Sequence, residues 1–438
     1  MYDVCARFQI LDKIQVNTDV TGIRWIEEDN EWEVTLSHMA PAAGDLSSAE
    51  RRDLINSRGL NAVILGTEMV RAKLVISAVG GLVEPKRVPD FPGLESFQGE
   101  VVHTASWNPD INVSGKDVIV VGAGCSAAQV TPALVQPDYG AKSVTQILRT
   151  PGWAAPSLPP DVVAWWSRWM PTLCRYIPGF QSLTRGLVFA SLEYNFFVLF
   201  RPTEKARERR AERAEKLLKY LQSVVPEEYH EILTPDYEFG CKRCLVDTEW
   251  FRSLQNPKID LTSQPLTKIN TKSVTLGPGR NWPPMQKIDS RVATEERELP
   301  ADVIVIANGY ETGEWLHPLD VIGKGGRSLY DVWNQRGGSQ AYLGTAMDGF
   351  PNFFLIFGPN TLTGHSSVIL ASENMVNYSL KFARPILNGD VETYEVKEEA
   401  ERRWTEGVQR DLKNTVWMSG GCKNWYAKEN GWNATTYP

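Results

Sequence analysis

The chain has few cysteines and no recognisable leader segment. Its 438 residues contain six cysteines, which are scattered and too sparse for a disulfide scaffold in a chain of this length. The first residues, Met-Tyr-Asp-Val-Cys-Ala-Arg, have neither a basic region nor an apolar core, so no secretory signal is visible. These absences favour a reducing compartment, and we expect the protein to be cytoplasmic.

Long hydrophobic runs and an excess of positive charge are also lacking. The longest apolar stretch, Gly186 to Phe200, contains Glu193 and is shorter than the ~20 residues that span a bilayer. It predicts a buried or interfacial helix, and peripheral contact with a membrane stays open. The net charge of −7 argues against a nucleic-acid-binding surface. A chain of this length, with 42% hydrophobic residues, is expected to form two globular domains.

Apolar periodicity predicts much of the secondary structure. Runs between turn residues predict strands at 14–18, 31–36, 72–80, 143–148 and 301–307, with a loop over 40–49. The alternating charges of 204–219 predict a solvated helix face with ion pairs at i,i+4 spacing. Trp165, Trp166 and Trp169 are predicted to lie in the core, where tryptophan is highly buried on average.

A glycine turn is the most informative motif. Residues 117–128, Asp-Val-Ile-Val-Val-Gly-Ala-Gly-Cys-Ser-Ala-Ala, predict a buried strand, a tight turn and the start of a helix. Gly122 permits the turn, Gly124 lets the backbone approach a pyrophosphate, and Ala127 keeps the helix close to the strand. Ser126 of the same turn is included among the candidate cofactor-binding residues. With the strand at 143–148, the segment predicts a dinucleotide-binding βαβ unit.

The charge after the second strand indicates which dinucleotide binds. A cofactor with free ribose hydroxyls favours Asp or Glu about 20 residues past the glycines, at the end of that strand. Here the strand is followed by Arg149 and Thr150. A guanidinium can pair with a 2′-phosphate through two hydrogen bonds, so NADPH is favoured over NADH. The alternative is that Arg149 only extends into solvent at a strand end.

A second motif precedes the glycine turn. Phe97, Gly99, His103 and Trp107 match the pattern Phe-x-Gly-x-x-x-His-x-x-x-Trp, whereas Asn108 stands where the pattern has Pro or Asp. The pair of motifs resembles the flavin-containing and Baeyer–Villiger monooxygenases. Further segments extend the resemblance along the chain: Arg149-Thr-Pro-Gly-Trp153, Gly240-Cys-Lys242-Arg243, Ala307-Asn-Gly-Tyr310, Gly358-Pro-Asn360 through Gly364-His365, and Gly421-Cys-Lys-Asn-Trp-Tyr426.

The resemblance implies an α/β fold with two dinucleotide-binding, Rossmann-like domains. It implies a partial, β-rich FAD-binding domain at 1–110, an NADPH-binding domain at 111–305 with a helical insertion at about 156–237, and a return to the FAD-binding domain at 306–438. No FAD glycine motif precedes Gly122, and relatives continue where this chain stops. We therefore expect an FAD-binding domain that is incomplete at its N-terminus, in a truncated chain.

The resemblance also implies a reaction. NADPH reduces FAD by hydride transfer, and the reduced flavin adds O2 to form a C4a-peroxyflavin, which passes one oxygen atom to a small organic substrate. The oxygenation can be of a ketone, as in Baeyer–Villiger oxidation, or of nitrogen or sulfur, and both stay open. The cofactors implied are FAD and NADPH.

The resemblance assigns roles to individual residues. Lys242 helps to hold the 2′-phosphate, and Arg243 faces the flavin and stabilises its peroxide. His103 couples NADPH binding to domain movement and is not a general base. Gly309 and the loop around Asn360 and His365 are expected to present backbone to the flavin ring, since glycines after buried strands allow close approach.

Two alternatives stay open from the sequence. Cys241 and Cys244 form a Cys-x-x-Cys pair, which a flavin disulfide reductase can place in its NADPH domain. The second alternative is an inactive NADPH-binding remnant that keeps Gly122, Gly124 and Arg149 but cannot hold flavin.

Overall fold

The computed structural model describes residues 2–247, 249–279, 295–313, 315–364 and 366–438. Its strands are β1 (Thr18–Ile26), β2 (Glu31–Met39), β3 (Ile64–Ala72), β4 (Val75–Ser77), β5 (Glu100–His103), β6 (Asp117–Val121), β7 (Ser143–Ile147), β8 (Ala154–Pro156), β9 (Leu245–Asp247), β10 (Ile259–Thr262), β11 (Leu266–Ile269), β12 (Ser273–Leu276), β13 (Arg297–Pro300), β14 (Val303–Ile306), β15 (Asp320–Ile322) and β16 (Phe353–Leu355). Its helices are α1 (Tyr2–Arg7), α2 (Ser48–Arg58), α3 (Cys125–Leu134), α4 (Pro160–Tyr176), α5 (Phe180–Leu199), α6 (Glu204–Val224), α7 (His230–Leu233), α8 (Trp250–Ser253), α9 (Leu329–Gln335), α10 (Val368–Asn388), α11 (Glu398–Leu412) and α12 (Val416–Ser419).

A five-stranded parallel sheet forms around the glycine-turn strand. Its order is β10-β7-β6-β14-β5, and all four pairings are parallel. The apolar runs Val-Ile-Val in β6 and Val-Ile-Val-Ile in β14 are buried along their whole length. Such continuous runs are typical of parallel strands that are covered on both faces. The predicted strands at 143–148 and 301–307 are confirmed as β7 and β14.

A second sheet, of four strands, has the order β15-β1-β2-β3. β2 pairs antiparallel with β1 and β3, while β15 pairs with β1 in parallel. The inward side chains of β1 and β2, among them Ile23, Trp25 and Trp32, pack with Val321 and Trp333 in one buried cluster. The strand predicted at 31–36 is confirmed within β2.

Two predicted strands and one loop were wrong in their bounds. The first strand begins at Thr18 and runs to Ile26, so most of 14–18 precedes it. Of 72–80, β4 covers only Val75–Ser77, which pairs with β16 in parallel. The predicted loop at 40–49 contains a 3-10 turn at 43–45, and α2 begins at Ser48.

Helix α2 was missed because it carries no apolar stripe. None of its residues is buried. The sequence therefore lacks the regular spacing of apolar residues that indicates a helix with one buried face. Its start is set instead by a capping box, in which Ser47 accepts from the backbone N–H of Glu50 and the Glu50 carboxylate accepts from Ser47.

Helices α4, α5 and α6 occupy the region of the expected insertion. Trp165, Trp166 and Trp169 of α4 are exposed, so the prediction that they lie in the core was wrong. Helix α5 contains no buried residue either, which excludes the buried form of the helix predicted at 186–200. The reason in both cases is that these helices pack little against the sheets.

Helix α6 agrees with the predicted charged helix, with one exception. Lys219 pairs with Glu215 at i,i+4 spacing, and both side chains are exposed. Arg210, however, is buried and forms ion pairs and hydrogen bonds with Glu238. Among the described residues no single helix is long and apolar enough to cross a bilayer, although α5 and α6, bent by 108° relative to each other, pass that test together on length and composition.

Candidate functional site

The glycine turn after β6 is held by the ends of the two neighbouring strands. Gly122 has a φ of +147°, and a Cβ atom there would lie 2.5 Å from the carbonyl oxygen of Ala307, just after β14. The N–H of Gly122 donates to the carbonyl oxygen of Ile147, the last residue of β7, at 2.9 Å. Because backbone approaches so closely, this position admits only glycine.

Gln146 supports the same turn, and sequence reasoning missed it. Its side chain is fully buried, and its Nε2 donates to the carbonyl oxygen of Gly122 at 2.9 Å. Its Oε1 accepts from Trp250 Nε1 at 2.9 Å and from Thr131 Oγ1 at 3.2 Å. The signal in the sequence was a glutamine in an otherwise apolar parallel strand, since a buried amide needs partners.

The N-terminus of α3 is open to an anion. Gly124 is the residue before the helix, no side chain caps the first turn, and no atom lies within 4 Å of the place where its Cβ would be. Ser126 is exposed on this turn, whereas Ala127 is fully buried against the sheet. The uncapped N–H groups and the helix dipole together suit a pyrophosphate.

Two cations lie near each other beside this turn. Arg149 follows β7 and is exposed, and Thr150 after it is partly exposed. Lys242 is half-buried, with its ammonium 5.0 Å from the centre of the Tyr237 ring. Burial, together with the charge of Arg149, lowers the pKa of Lys242 to about 8, while Asp236 acts in the opposite direction. An anion between the two cations would relieve their repulsion.

Arg243 lies between two cavities. The first, of about 450 Å³, is lined by Cys125 at the N-terminus of α3 and by Gly81, Trp315, Phe357 and Trp425. The second, of about 570 Å³, lies against α5 and α6 and is also lined by Lys242. The indole N–H of Trp315 is buried without a hydrogen-bond partner among the described residues. Aromatic walls, an unused donor and a permanent cation suit a planar polar group such as a flavin ring.

His103 has both ring nitrogens engaged. Its Nδ1 accepts from the backbone N–H of Ala105 at 3.0 Å, and its Nε2 lies 2.7 Å from Oδ1 of Asn308. Since Nδ1 is an acceptor, the proton lies on Nε2, which donates to Asn308. The Asn308 amide in turn donates to the carbonyl oxygen of Arg87. A histidine with no free nitrogen suits the predicted positioning role and not that of a general base.

Gly309 and Asn360 lie in different surroundings. Gly309 has a φ of +91°, with open space where its Cβ would be. Asn360 is buried, and its amide donates to the carbonyl oxygens of Asn433 and Thr436 at 2.7 and 2.9 Å. Its backbone N–H donates to Ala434, so all its N–H groups hold the segment 433–436. His365, predicted to lie in the same loop, is outside the described residues.

The Cys-x-x-Cys interpretation was wrong. Cys241 forms a disulfide with Cys422, 181 residues later, and Cys244 is free. Burial raises the pKa of Cys244 to about 11, so its thiol stays protonated and unreactive at neutral pH. The disulfide ties the segment of Lys242 and Arg243 to the segment 421–426. The six cysteines are too sparse to predict a disulfide scaffold, but two of them form this disulfide.

The fold brings most of the predicted site residues to one edge. β5, β14, β6 and β7 are parallel, so their carboxyl ends lie together. His103 is the last residue of β5, and Gly309, Gly122 and Arg149 follow β14, β6 and β7. Ligands of open α/β sheets bind at this edge. Lys242 and Arg243 reach it from the segment before β9. Asn360 lies apart, at the segment 433–436.

Comparison with known proteins identifies the class. No protein-family model matches the chain. A Baeyer–Villiger monooxygenase of Pseudomonas aeruginosa is 30% identical over 436 residues, which cover 99% of this chain and 71% of that protein. One of Streptomyces coelicolor is 32% identical over 371 residues, covering 84% of this chain and 65% of that protein. The FAD-binding monooxygenase ktnD of Aspergillus niger is 29% identical, covering 100% and 65%.

Solved structures show the same fold. The OTEMO complex with FAD and NADP is 22% identical, has a TM-score of 0.70, and is matched over 100% of this chain and 79% of its own. Cyclohexanone monooxygenase from Rhodococcus sp. Phi1 bound to NADP⁺ is 21% identical, with a TM-score of 0.71, and the match covers 99% of this chain and 78% of that chain. The predicted α/β fold is thereby confirmed. The chain belongs to the Baeyer–Villiger monooxygenase family, and it spans about 65% of the length of the S. coelicolor and A. niger relatives.

Proposed function

We propose that this chain is the NADPH-binding and arginine-bearing part of an FAD- and NADPH-dependent monooxygenase. The whole protein inserts one oxygen atom from O2 into a small organic substrate, a ketone or a nitrogen or sulfur compound. The observation that carries the proposal is the arrangement at the carboxyl edge of the parallel sheet, where a glycine turn with an uncapped helix N-terminus lies beside two cations.

The proposed domains follow the expected division. Residues 1–110 and 306–438 contribute to the FAD-binding domain, and 111–305 form the NADPH-binding domain with its helical insertion at 156–237. The pairing of β15 with β1 supports joining the first and last parts. β5, at 100–103, belongs with the second part, because it lies in the five-stranded sheet.

The NADPH site is assigned residue by residue. The N–H groups after Gly122 and Gly124, together with Ser126, bind the pyrophosphate, while buried Ala127 holds α3 against the sheet. Arg149 and Lys242 bind the 2′-phosphate from two sides, and Thr150 lies beside them. This charge arrangement favours NADPH, because NADH lacks the 2′-phosphate that the two cations would bind.

The flavin ring is assigned to the first cavity, and Gly309 is proposed to present backbone to it. Bound there, FAD supplies hydride acceptance from NADPH and reaction with O2. Arg243 is the proposed catalytic residue, since it holds a permanent positive charge at the cavity wall, where charge developing on oxygen would be stabilised. His103 is a positioning residue, and its bond to Asn308 joins the ends of β5 and β14 next to Gly309.

Nucleotide preference tests the cation assignment. In the Arg149→Ala variant, NADPH affinity is expected to fall roughly tenfold to hundredfold, because a charge-assisted bond to phosphate is lost. NADH affinity should be almost unchanged. The dissociation constants of NADPH and NADH can be measured by titration calorimetry on the 438-residue chain and on the variant. Arg58→Ala, an exposed arginine at the end of α2, is the matched control. Equal losses for both nucleotides would contradict the 2′-phosphate assignment.

The pH dependence of binding tests Lys242 separately. Its pKa of about 8 in the free protein means that the ammonium is charged below that pH. Bound phosphate raises this pKa, so NADPH affinity should be level below pH 8 and should fall above it, by up to about tenfold per pH unit. The Lys242→Met variant should bind more weakly and lose this slope. A slope that survives in the variant would assign it to another group.

Absorption spectroscopy tests the flavin part. The purified chain is mixed with excess FAD, desalted, and then given NADPH in air. A retained flavin spectrum that bleaches and recovers supports the proposal for this chain directly. Binding of NADPH without retained flavin would support the alternative of an NADPH-binding remnant.

A further inference from the structure

Helices α4 and α5 form a helical hairpin (residues 160–199) from which only Phe196 and Leu199, near the end of α5, are found packed against a core cluster of the described chain. Neither helix contains a single buried residue, although both are rich in tryptophan, phenylalanine, leucine and valine. Helix α6, which follows, is far more polar and nevertheless buries four residues: Ala206, Arg210, Leu217 and Leu221. Apolar helices normally bury their apolar side against another surface. The hairpin therefore exposes apolar side chains of the kind that normally pack against another surface.

The exposed apolar side chains are ordered along both helices. In α4, Val162, Trp165, Trp166 and Trp169 are spaced i, i+3, i+4 and i+7, so they share one face, and all are exposed, Trp165 to 54%. In α5, Leu183, Leu187, Tyr194 and Phe197 share a face in the same way, and Leu187 is 63% exposed. Exposed apolar faces of this kind mark a docking site.

The charges of the hairpin differ in sign from those of the chain as a whole. The hairpin contains three arginines, Arg168, Arg175 and Arg185, against two acidic residues, and Arg201 lies just after α5, in a chain with a net charge of −7. Arg185 pairs with Glu373 of α10. Arg168, Arg175 and Arg201 form no ion pair with any described residue and lie over the rings of Trp169, Tyr176 and Phe197, at 5.4, 5.6 and 4.5 Å.

We infer that the hairpin docks on an anionic lipid surface. Tryptophan and tyrosine favour the boundary between headgroups and acyl chains, and arginine can bury its stem there while its guanidinium meets a phosphate. In α4, Arg168 and Arg175 border the tryptophan face, and the guanidinium of Arg168 lies over the Trp169 ring. Cations beside an apolar face suit a helix that lies in the plane of the interface.

Charge decides between lipid and a second copy of this chain. A symmetric dimer through this surface would place the same surplus of arginines on both sides, and like charges facing each other weaken an interface. An anionic bilayer presents the opposite charge to the arginines and an apolar layer to the tryptophans. The hairpin is thus complementary to lipid in both respects.

Vesicle binding tests this inference. The chain is sedimented with vesicles of phosphatidylcholine containing phosphatidylglycerol, and with vesicles of phosphatidylcholine alone. We expect binding to the anionic vesicles that weakens at high salt, and at least tenfold weaker binding to the neutral ones. Replacing Arg168 and Arg175 with Gln should weaken binding roughly fivefold per arginine.

The tryptophans are tested by a triple variant with a matched control. Trp165→Ser, Trp166→Ser and Trp169→Ser together should reduce binding to anionic vesicles more than tenfold. Leu65→Ser with Met69→Ser, which removes two exposed apolar side chains of β3, should bind as the unaltered chain does. NADPH affinity and circular dichroism report whether each variant is folded, independently of lipid. Quenching of tryptophan fluorescence by brominated lipid should be weaker in the triple variant.

Three results would overturn the inference. The first is no binding of the unaltered chain to anionic vesicles at low salt. The second is binding that the tryptophan and arginine variants leave unchanged. The third is a dimer in sedimentation equilibrium that the triple variant dissociates, without vesicle binding, which would assign the surface to a second copy.

Discussion

The glycine-turn sheet and the helical hairpin are both strongly apolar in sequence, yet they differ completely in burial. β6 and β14 lie between other strands and under α3, and their aliphatic side chains are covered on both faces. The hairpin is also rich in apolar side chains, but none of its residues is buried, and Phe196 and Leu199 alone are found packed against a core cluster of the described chain. Apolar composition predicts which segments tend to be buried, but burial also requires that other elements of the fold pack against them.

The largest expected effect lies at the turn. Gly122→Ala should destabilise the protein by roughly 2–4 kcal/mol, because its Cβ would meet the Ala307 carbonyl and φ is positive. The free energy of unfolding in urea measures this. Gly124→Ala is the control, with a negative φ and open space, and should change stability by less than about 1 kcal/mol. Equal losses would mean that the close approach to β14 does not restrict this position.

Gln146→Leu is expected to have the next largest effect. Leucine fills similar volume, but it leaves the Gly122 carbonyl and the Trp250 N–H buried without their partner, at a cost of about 1–3 kcal/mol. Urea unfolding checks the stability, and NADPH titration checks whether the turn has moved. Gln129→Leu, at an exposed position of α3, should stay within about 0.5 kcal/mol. If both variants unfold alike, the side chain of Gln146 is not what holds the turn.

The smallest effect is expected in the hairpin, and it would test the difference in burial between the hairpin and the glycine-turn sheet. Single replacements of Trp165, Trp166 or Trp169 by Ser should change the free energy of unfolding by less than about 0.5 kcal/mol without lipid, since these side chains are exposed. Buried Trp250→Phe should cost more than about 1 kcal/mol, through its lost bond to Gln146. A large loss for a hairpin tryptophan would show that it packs against the protein in solution.

Sequence reasoning succeeded where the signal is local. The glycine turn, the following helix and the two flanking strands were predicted because tight turns and buried strands require particular residues at fixed spacing. It failed where a residue depends on distant partners. The tryptophans of α4 follow the same hydrophobic rule as those of β1 and β2, yet only the latter are buried among other elements.

The cysteines show the same limit. Cys241 stands three residues before Cys244, which suggested a local pair, but its partner Cys422 is far along the chain and becomes adjacent only through folding. Spacing cannot reveal such a pairing, because it depends on how two separate segments are packed.

The sequence was sufficient to predict the dinucleotide-binding unit and the resemblance to the monooxygenases, and to name Arg149, Lys242 and Arg243 as candidate site residues. Each depends on residues that are near one another in the chain, or on motifs whose order along the chain resembles that family. The tertiary structure alone decided that Gln146 supports the turn, that Asn360 holds the segment 433–436, that Cys241 bonds to Cys422 and that the hairpin is exposed. Those facts depend on contacts between distant segments, which exist only once the chain has folded.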